Sequence, residues 1–258
     1  MSARVAWISR TPVKALALEH LQEAELGDGG VEGDRHFYLV GEAGRLISNK
    51  DFPAFQLIHA AYDDQRRTLT VTLTDGREVT GTVERGEEVE TSFHKRPRSA
   101  RLVLGPWSEV LSELAGEGLR LVEPSMPATD RGRNGAATLL ATASLGALGE
   151  VLGVAAIDGR RFRMNFGVDG LEPHEEDTWI GRRVQVGDAV VIPHGNVGRC
   201  VVTTQNPDTG VSDLDTLKGL AAYRREVETT EPLPFGVHAA VAQPGRVRVG
   251  DVVALVGV

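Results

Sequence analysis

The chain has 258 residues, 41% of them hydrophobic and 25% charged, globular proportions that exclude a disordered or fibrous protein and leave room for one large domain or two modest ones. Its formal net charge of −8 disfavours a nonspecific nucleic-acid or anionic-membrane surface. One cysteine, Cys200, excludes an internal disulfide, a multi-cysteine zinc site and a cysteine-ligated iron–sulfur cluster.

The opening segment MSARVAWISRTPVK has no apolar run of signal-peptide length, and no later stretch reaches the roughly 18 to 20 apolar residues of a spanning helix, so the expectation is a cytoplasmic protein with no membrane span. Residues 5–8 and 36–40 read as strands. In 68–73 Leu and Val alternate with Thr at the period of a half-buried strand, and Asp75-Gly76 turns it back into 78–83 as a hairpin. The basic segment 91–100 reads as irregular. Gly105-Pro106 then opens a helix with Trp107, Val110, Leu111 and Leu114 at helical spacing. A domain junction at 95/96 gives two units, 1–95 and 96–258.

Residues 124–135 read as a proline- and glycine-rich loop or lid. Ser144 is a candidate N-cap for a helix presenting Leu145, Leu148, Val151 and Leu152, and Ser212 with Asp215 resembles a capping box. Val184-Gln185-Val186-Gly187-Asp188-Ala189-Val190 is nearly repeated as Val247-Arg248-Val249-Gly250-Asp251-Val252-Val253. Each copy reads as strand, Gly-Asp turn and strand, the grammar of a small β-barrel. The expected fold is therefore mainly β with α (α+β), a barrel decorated by short helices.

Three segments carry chemistry. The acidic run His174-Glu175-Glu176-Asp177 reads equally as a solvated loop or a functional one, with Trp179 anchoring it. On a strand, Arg161, Arg163 and Asn165 would share one face, suited to a phosphate or a flat heterocycle, although a stripe of solvated arginines is the commoner outcome for such a segment. Cys200 lies between glycines that permit close backbone approach and a β-branched run read as a strand, and Arg199 would favour its thiolate. That is how a chain presents sulfur to a soft metal or an electrophile.

These residues form a pattern. Gly198-Arg199-Cys200-Val201-Val202-Thr203-Thr204 followed by Asn206-Pro207-Asp208-Thr209-Gly210, with Arg161-Phe162-Arg163-Met164-Asn165 and Glu176-Asp177-Thr178-Trp179 upstream, resembles the MOSC domain family (molybdenum cofactor sulfurase C-terminal domain). Thr11-Pro12-Val13-Lys14, Gly33-Asp34-Arg35 and Gly44-Arg45-Leu46-Ile47-Ser48 are similar to the β-barrel domain that precedes MOSC in its larger members. Met164 stands where the family commonly has Pro, and Asn206 where it commonly has Asp.

The resemblance implies a MOSC-type barrel core with a smaller N-terminal barrel-like domain, and a molybdenum–molybdopterin cofactor. Carried over by position, it makes Cys200 the metal ligand and assigns Lys14, Arg35, Ser144, Arg163, Asn165 and Arg199 to the pterin and its phosphate. Asp177 becomes a candidate for proton delivery. The implied function is reduction of N-hydroxylated or N-oxide compounds with electrons from a separate redox protein, as in the amidoxime-reducing members of the family. Two alternatives stay open: a persulfide carrier acting through Cys200, and a noncatalytic molybdopterin-binding protein.

Overall fold

In Thr68–Thr72, Leu69 and Val71 are buried while the threonines between them are half-buried, as the two-residue period of a strand requires. Gly76, at φ 84°, and the Asp75 carboxylate, which accepts from the Arg77 N–H at 2.9 Å, return the chain into Glu78–Thr82. With His59–Asp63 these strands make a three-stranded antiparallel sheet in the computed structural model, which describes residues 2–257.

Residues 91–100 correct the sequence reading. Glu84–Phe93 and Arg96–Leu104 form a long antiparallel hairpin, its two-residue tip being His94 and Lys95 at φ 51° and 66°, the left-handed pair that a tight mirror-image turn demands. Charged side chains on both exposed faces hide the strand period. The hairpin extends a sheet with Arg120–Pro124 and Tyr38–Val40. Helix α1 (Trp107–Ala115) buries Trp107 and Leu111 in the core shared by these two sheets. Gly105, at φ 148°, is required there, because a Cβ would collide with the Trp107 ring.

A second core lies inside an eight-stranded sheet. Its strands run in the order Val253–Leu255, Val184–Val186, Ala189–Gly198, Pro234–Gln243, Ala137–Ala141, Phe166–Asp169, Arg4–Arg10 and Glu19–Leu21. The sheet curls until Arg4 bridges Val252, with Val5 N–H donating to the Asp251 carbonyl at 2.9 Å and Gly250 N–H to the Val5 carbonyl at 2.8 Å. That closure removes most of the exposed edge. The sequence repeat is divided: Val184–Val186 and Ala189–Gly198 pair as a hairpin, whereas Gly245–Arg248 pairs with Glu23–Gly27 and Val253–Leu255 with Val184–Val186.

Helices α2 (Thr142–Leu152) and α3 (Thr216–Tyr223) cover one side of the barrel, with Leu145, Leu148 and Leu220 in a third apolar cluster that includes Phe162 and Phe235. Their caps differ from the sequence reading. Ser144 lies inside α2, whose N-cap is Ala141; Asp215 caps α3 through the Lys218 N–H, while Ser212 bonds the Thr204 hydroxyl. Val5, Ile8, Leu26 and Val31 pack in the barrel core and Leu119 and Leu121 in the other, so each core draws on chain from both sides of residue 95. Among the described residues no helix is long and apolar enough to cross a membrane.

Candidate functional site

A cleft of about 650 Å³ is lined from both halves of the chain. Nine lysines and arginines line it against two aspartates, although the protein as a whole carries −8. Such a concentration of like charge in a concave, partly desolvated site attracts anions, because field lines are focused where water is thin.

Three of these cations lie together. Lys14 reaches Asp130 at 2.6 Å and the Ala128 carbonyl at 3.3 Å. Arg35, in the left-handed region at φ 49°, pairs with Asp34 and donates to the Arg163 carbonyl at 3.0 Å. Arg163, also left-handed at φ 53°, donates to the Leu16 carbonyl at 2.6 Å. Burial lowers the Arg163 pKa to about 10 and Arg35 pushes the same way. Burial also lowers Lys14, with Arg35 and Arg163 acting against Asp130. Burial opposes ionisation of Asp130, yet Lys14 and His94, whose Nε2 is 3.0 Å away, hold its carboxyl well below the usual range.

Cys200 is half-buried and lines the same cleft. The strand expected after it is instead a 3-10 turn, Val201–Thr204, because the Thr203 and Thr204 hydroxyls bond back to the Cys200 and Val201 carbonyls at 3.0 and 2.8 Å, a local alternative to the sheet ladder. Behind it, Arg199 donates Nε to the Phe235 carbonyl and Nη1 to the Phe162 carbonyl, both at 2.9 Å, and stacks 5.2 Å from the Phe162 ring. Burial without a carboxylate partner pulls its pKa down to about 9. Arg199 thus fixes the cysteine turn from beneath and leaves a positive charge beside the sulfur.

The shared strand face expected for Arg161, Arg163 and Asn165 does not form. Asp158 caps a 3-10 turn, Gly159–Phe162, Arg163 is left-handed, and the strand starts at Phe166. Arg161 and Arg163 still both line the cleft, whereas Asn165 is 2% exposed and turned inward. Its Nδ2 donates to Asp34 at 3.0 Å and its Oδ1 accepts from Thr138 at 2.9 Å. Asn165 therefore acts on the cleft through Asp34, which holds Arg35.

Ser144 and Asp177 lie outside the cleft lining. Ser144 is fully buried, its hydroxyl accepting from the His174 N–H at 2.8 Å and facing Glu176 at 3.4 Å. Asp177 pairs with Arg224 and accepts from Asn196 at 2.7 Å. The acidic run is accordingly no solvated loop: Glu176 is 0% exposed and Trp179 is 3% exposed. Sequence reasoning gave no role to Asp34 or Asp130, and it grouped Arg161 with Arg163 and Asn165 on a strand that does not form. The Asp34-Arg35 pair was readable as a dipeptide; Asp130 had no local signal.

Burial raises the Glu176 carboxyl from its ordinary 4.5 to about 7, and Asp177 adds to this. The folded chain then holds a proton that the unfolded chain releases, so this residue costs stability progressively as pH rises from 4.5 to about 7 and by a constant amount above. Glu176→Gln is expected to stabilise the protein by roughly 3 kcal/mol at pH 8 and by almost nothing at pH 4. Urea unfolding at the two pH values measures it; equal increments would disprove the assignment.

The MOSC domain family profile matches residues 128–254 and the MOSC N-terminal beta barrel domain profile residues 2–104. The chain is 28% identical to mitochondrial amidoxime-reducing component 1 of Mus musculus over 95% of its own length and 80% of the relative's. It is 42% identical to mitochondrial amidoxime reducing component 2 of Homo sapiens over 35% of its length and 28% of the relative's. It is also 32% identical to molybdenum cofactor sulfurase of Oryza sativa over 27% of its length and 8% of the relative's.

Proposed function

The chain belongs to the MOSC family, and from that premise we propose that it is a molybdenum cofactor-dependent oxidoreductase that reduces N-hydroxylated compounds. The observation that carries this reading is the half-buried Cys200 thiol at the wall of a cleft holding nine cationic side chains and two carboxylates. The donor set fits the group: one soft sulfur for the metal, and Lys14, Arg35 and Arg163 for a phosphate.

When bound, the cofactor supplies a two-electron centre that accepts oxygen. The residues supply the rest. Cys200 would hold the metal, Arg199 fixes the turn that presents it, and Lys14, Arg35 and Arg163 would grip the phosphate, with Asn165 and Asp34 keeping Arg35 in place. Ser144 would act from behind, through His174 and Glu176. Reduction of an amidoxime to an amidine consumes two electrons and two protons and releases water. Asp177, held by Arg224 and Asn196, would support the site from beneath rather than touch substrate. Electrons would come from a separate redox protein, in the cytoplasm, and the chain divides in this reading into an N-terminal unit, 1–95, and a MOSC unit, 96–258.

Expression in a host that makes molybdopterin, followed by metal analysis, pterin fluorescence and an amidoxime assay with a reduced viologen dye, tests the reading. The expected result is about one molybdenum and one pterin per chain, with one amidine formed per two electrons. Folded protein devoid of both metal and pterin would overturn it, and a gain of one sulfur on Cys200 in such protein would favour a persulfide carrier.

A further inference from the structure

The cofactor reading uses four of the nine cations in the cleft: Lys14, Arg35, Arg163 and Arg199. Arg161 is not among them, yet its side chain is only 8% exposed and lines the same wall as Cys200, Val202 and Thr203. Its Nη1 donates to the Thr204 carbonyl at 3.0 Å and its Nη2 meets Asp213 at 2.7 Å, but its Nε is buried without a partner. Buried donors are ordinarily satisfied, so an orphan in a cleft wall marks a place where something else accepts.

A second cation is tied to this wall by backbone. Gln205, at the end of the cysteine turn, donates its side-chain amide to the Asn49 carbonyl at 2.9 Å, which anchors Lys50 next to the turn that Arg161 supports. The neighbouring carboxylate, Asp51, is already taken by Arg45 at 2.7 Å and by the Ser48 N–H at 2.9 Å. The Lys50 ammonium is exposed, lines the cleft and has no carboxylate partner among the described residues.

Building on the reductase reading, we infer that Arg161 and Lys50 form an anion-recognition wall beside Cys200, and that the preferred substrates are N-oxygenated compounds bearing a carboxylate or phosphate. A neutral substrate leaves the Arg161 Nε and the Lys50 ammonium unanswered, whereas an anionic group supplies an acceptor with a charge opposite to both. An acidic protein surface is a poorer occupant, because a side chain 8% exposed in a concave wall is out of reach of a convex partner.

The test compares benzamidoxime with its 4-carboxy and 4-phosphonomethyl derivatives on molybdenum-loaded protein. The expected result is kcat/KM about tenfold higher for an anionic compound at low salt, the preference shrinking at high salt. Carboxylate and phosphonate compared with each other show which anion the wall takes. In Arg161→Gln and in Lys50→Glu the anion-to-neutral ratio is expected to fall towards one or below. A ratio reads only properly folded enzyme, and Lys50 is exposed, so instability does not mimic the effect. Equal kcat/KM in the wild type, or a ratio unmoved in both variants, would overturn the inference. Equilibrium binding of benzoate against benzamide reads the same preference without turnover: if neither amidoxime is reduced but benzoate is favoured, the reductase reading fails and the anion wall stands, and equal binding there sinks the wall as well.

Discussion

Replacing Cys200 with alanine is expected to lower amidoxime reduction by at least ~100-fold while leaving pterin on the protein. The two effects separate because the groups are separate. The sulfur lies on the turn that Arg199 fixes through the Phe162 and Phe235 carbonyls, whereas the phosphate cradle is built from Lys14, Arg35 and Arg163, each positioned by contacts of its own with Asp130, Asp34 and the Leu16 carbonyl. Loss of an outer partner of a metal ligand commonly costs about 10- to 100-fold, so loss of a direct ligand should cost at least the upper end of that range. Metal per chain, fluorescence of the oxidised pterin and kcat, measured on one preparation, check it. Undiminished metal content and activity would remove Cys200 from the ligand role.

Cys200 was conspicuous in the sequence because it is the one thiol and sits between a Gly-Arg step and a Thr-Thr pair. The fold class was legible for a similarly local reason: period-two stretches such as Thr68–Thr72 and the Gly-Asp turns require only neighbours to be read. The failures were of two kinds, local side-chain bonds that propensity overlooks and contacts made only by the fold. A strand after Cys200 is what β-branched residues favour, yet the Thr203 and Thr204 hydroxyls capture carbonyls three residues back and make a turn. The hairpin across His94 and Lys95 carries charge on both faces, which conceals its period, and pairing with Arg120–Pro124 holds it in a sheet. Asn165 belongs to the site by sequence position, but only the fold reveals that it works through Asp34. Likewise Glu176 is an ordinary surface acid on paper; the packing of Ser144 and Trp179 around that segment buries it.

Arg163→Glu should have the opposite signature to the cysteine variant: pterin and metal lost together. Arg163 stands beside Lys14 and Arg35, and both it and Lys14 have pKa values pulled down by burial and by neighbouring cations, so the cradle carries a repulsion that Asp34 and Asp130 offset in part and that a bound anion relieves further. Inverting one charge removes an attraction to the phosphate and adds a repulsion, and the introduced carboxylate would also satisfy Arg35 and Lys14 internally. Truncation of one member of a buried, hydrogen-bonded charge pair costs about 2–5 kcal/mol, and reversal should cost no less, which puts the loss of cofactor affinity at ~30-fold or more. Arg163→Lys keeps the charge but not the fork that reaches the Leu16 carbonyl, and an intermediate loss is expected. Pterin and metal content, measured on folded protein, decide the matter together. Retention of pterin by Arg163→Glu at the wild-type level would show that the phosphate is held elsewhere in the cleft.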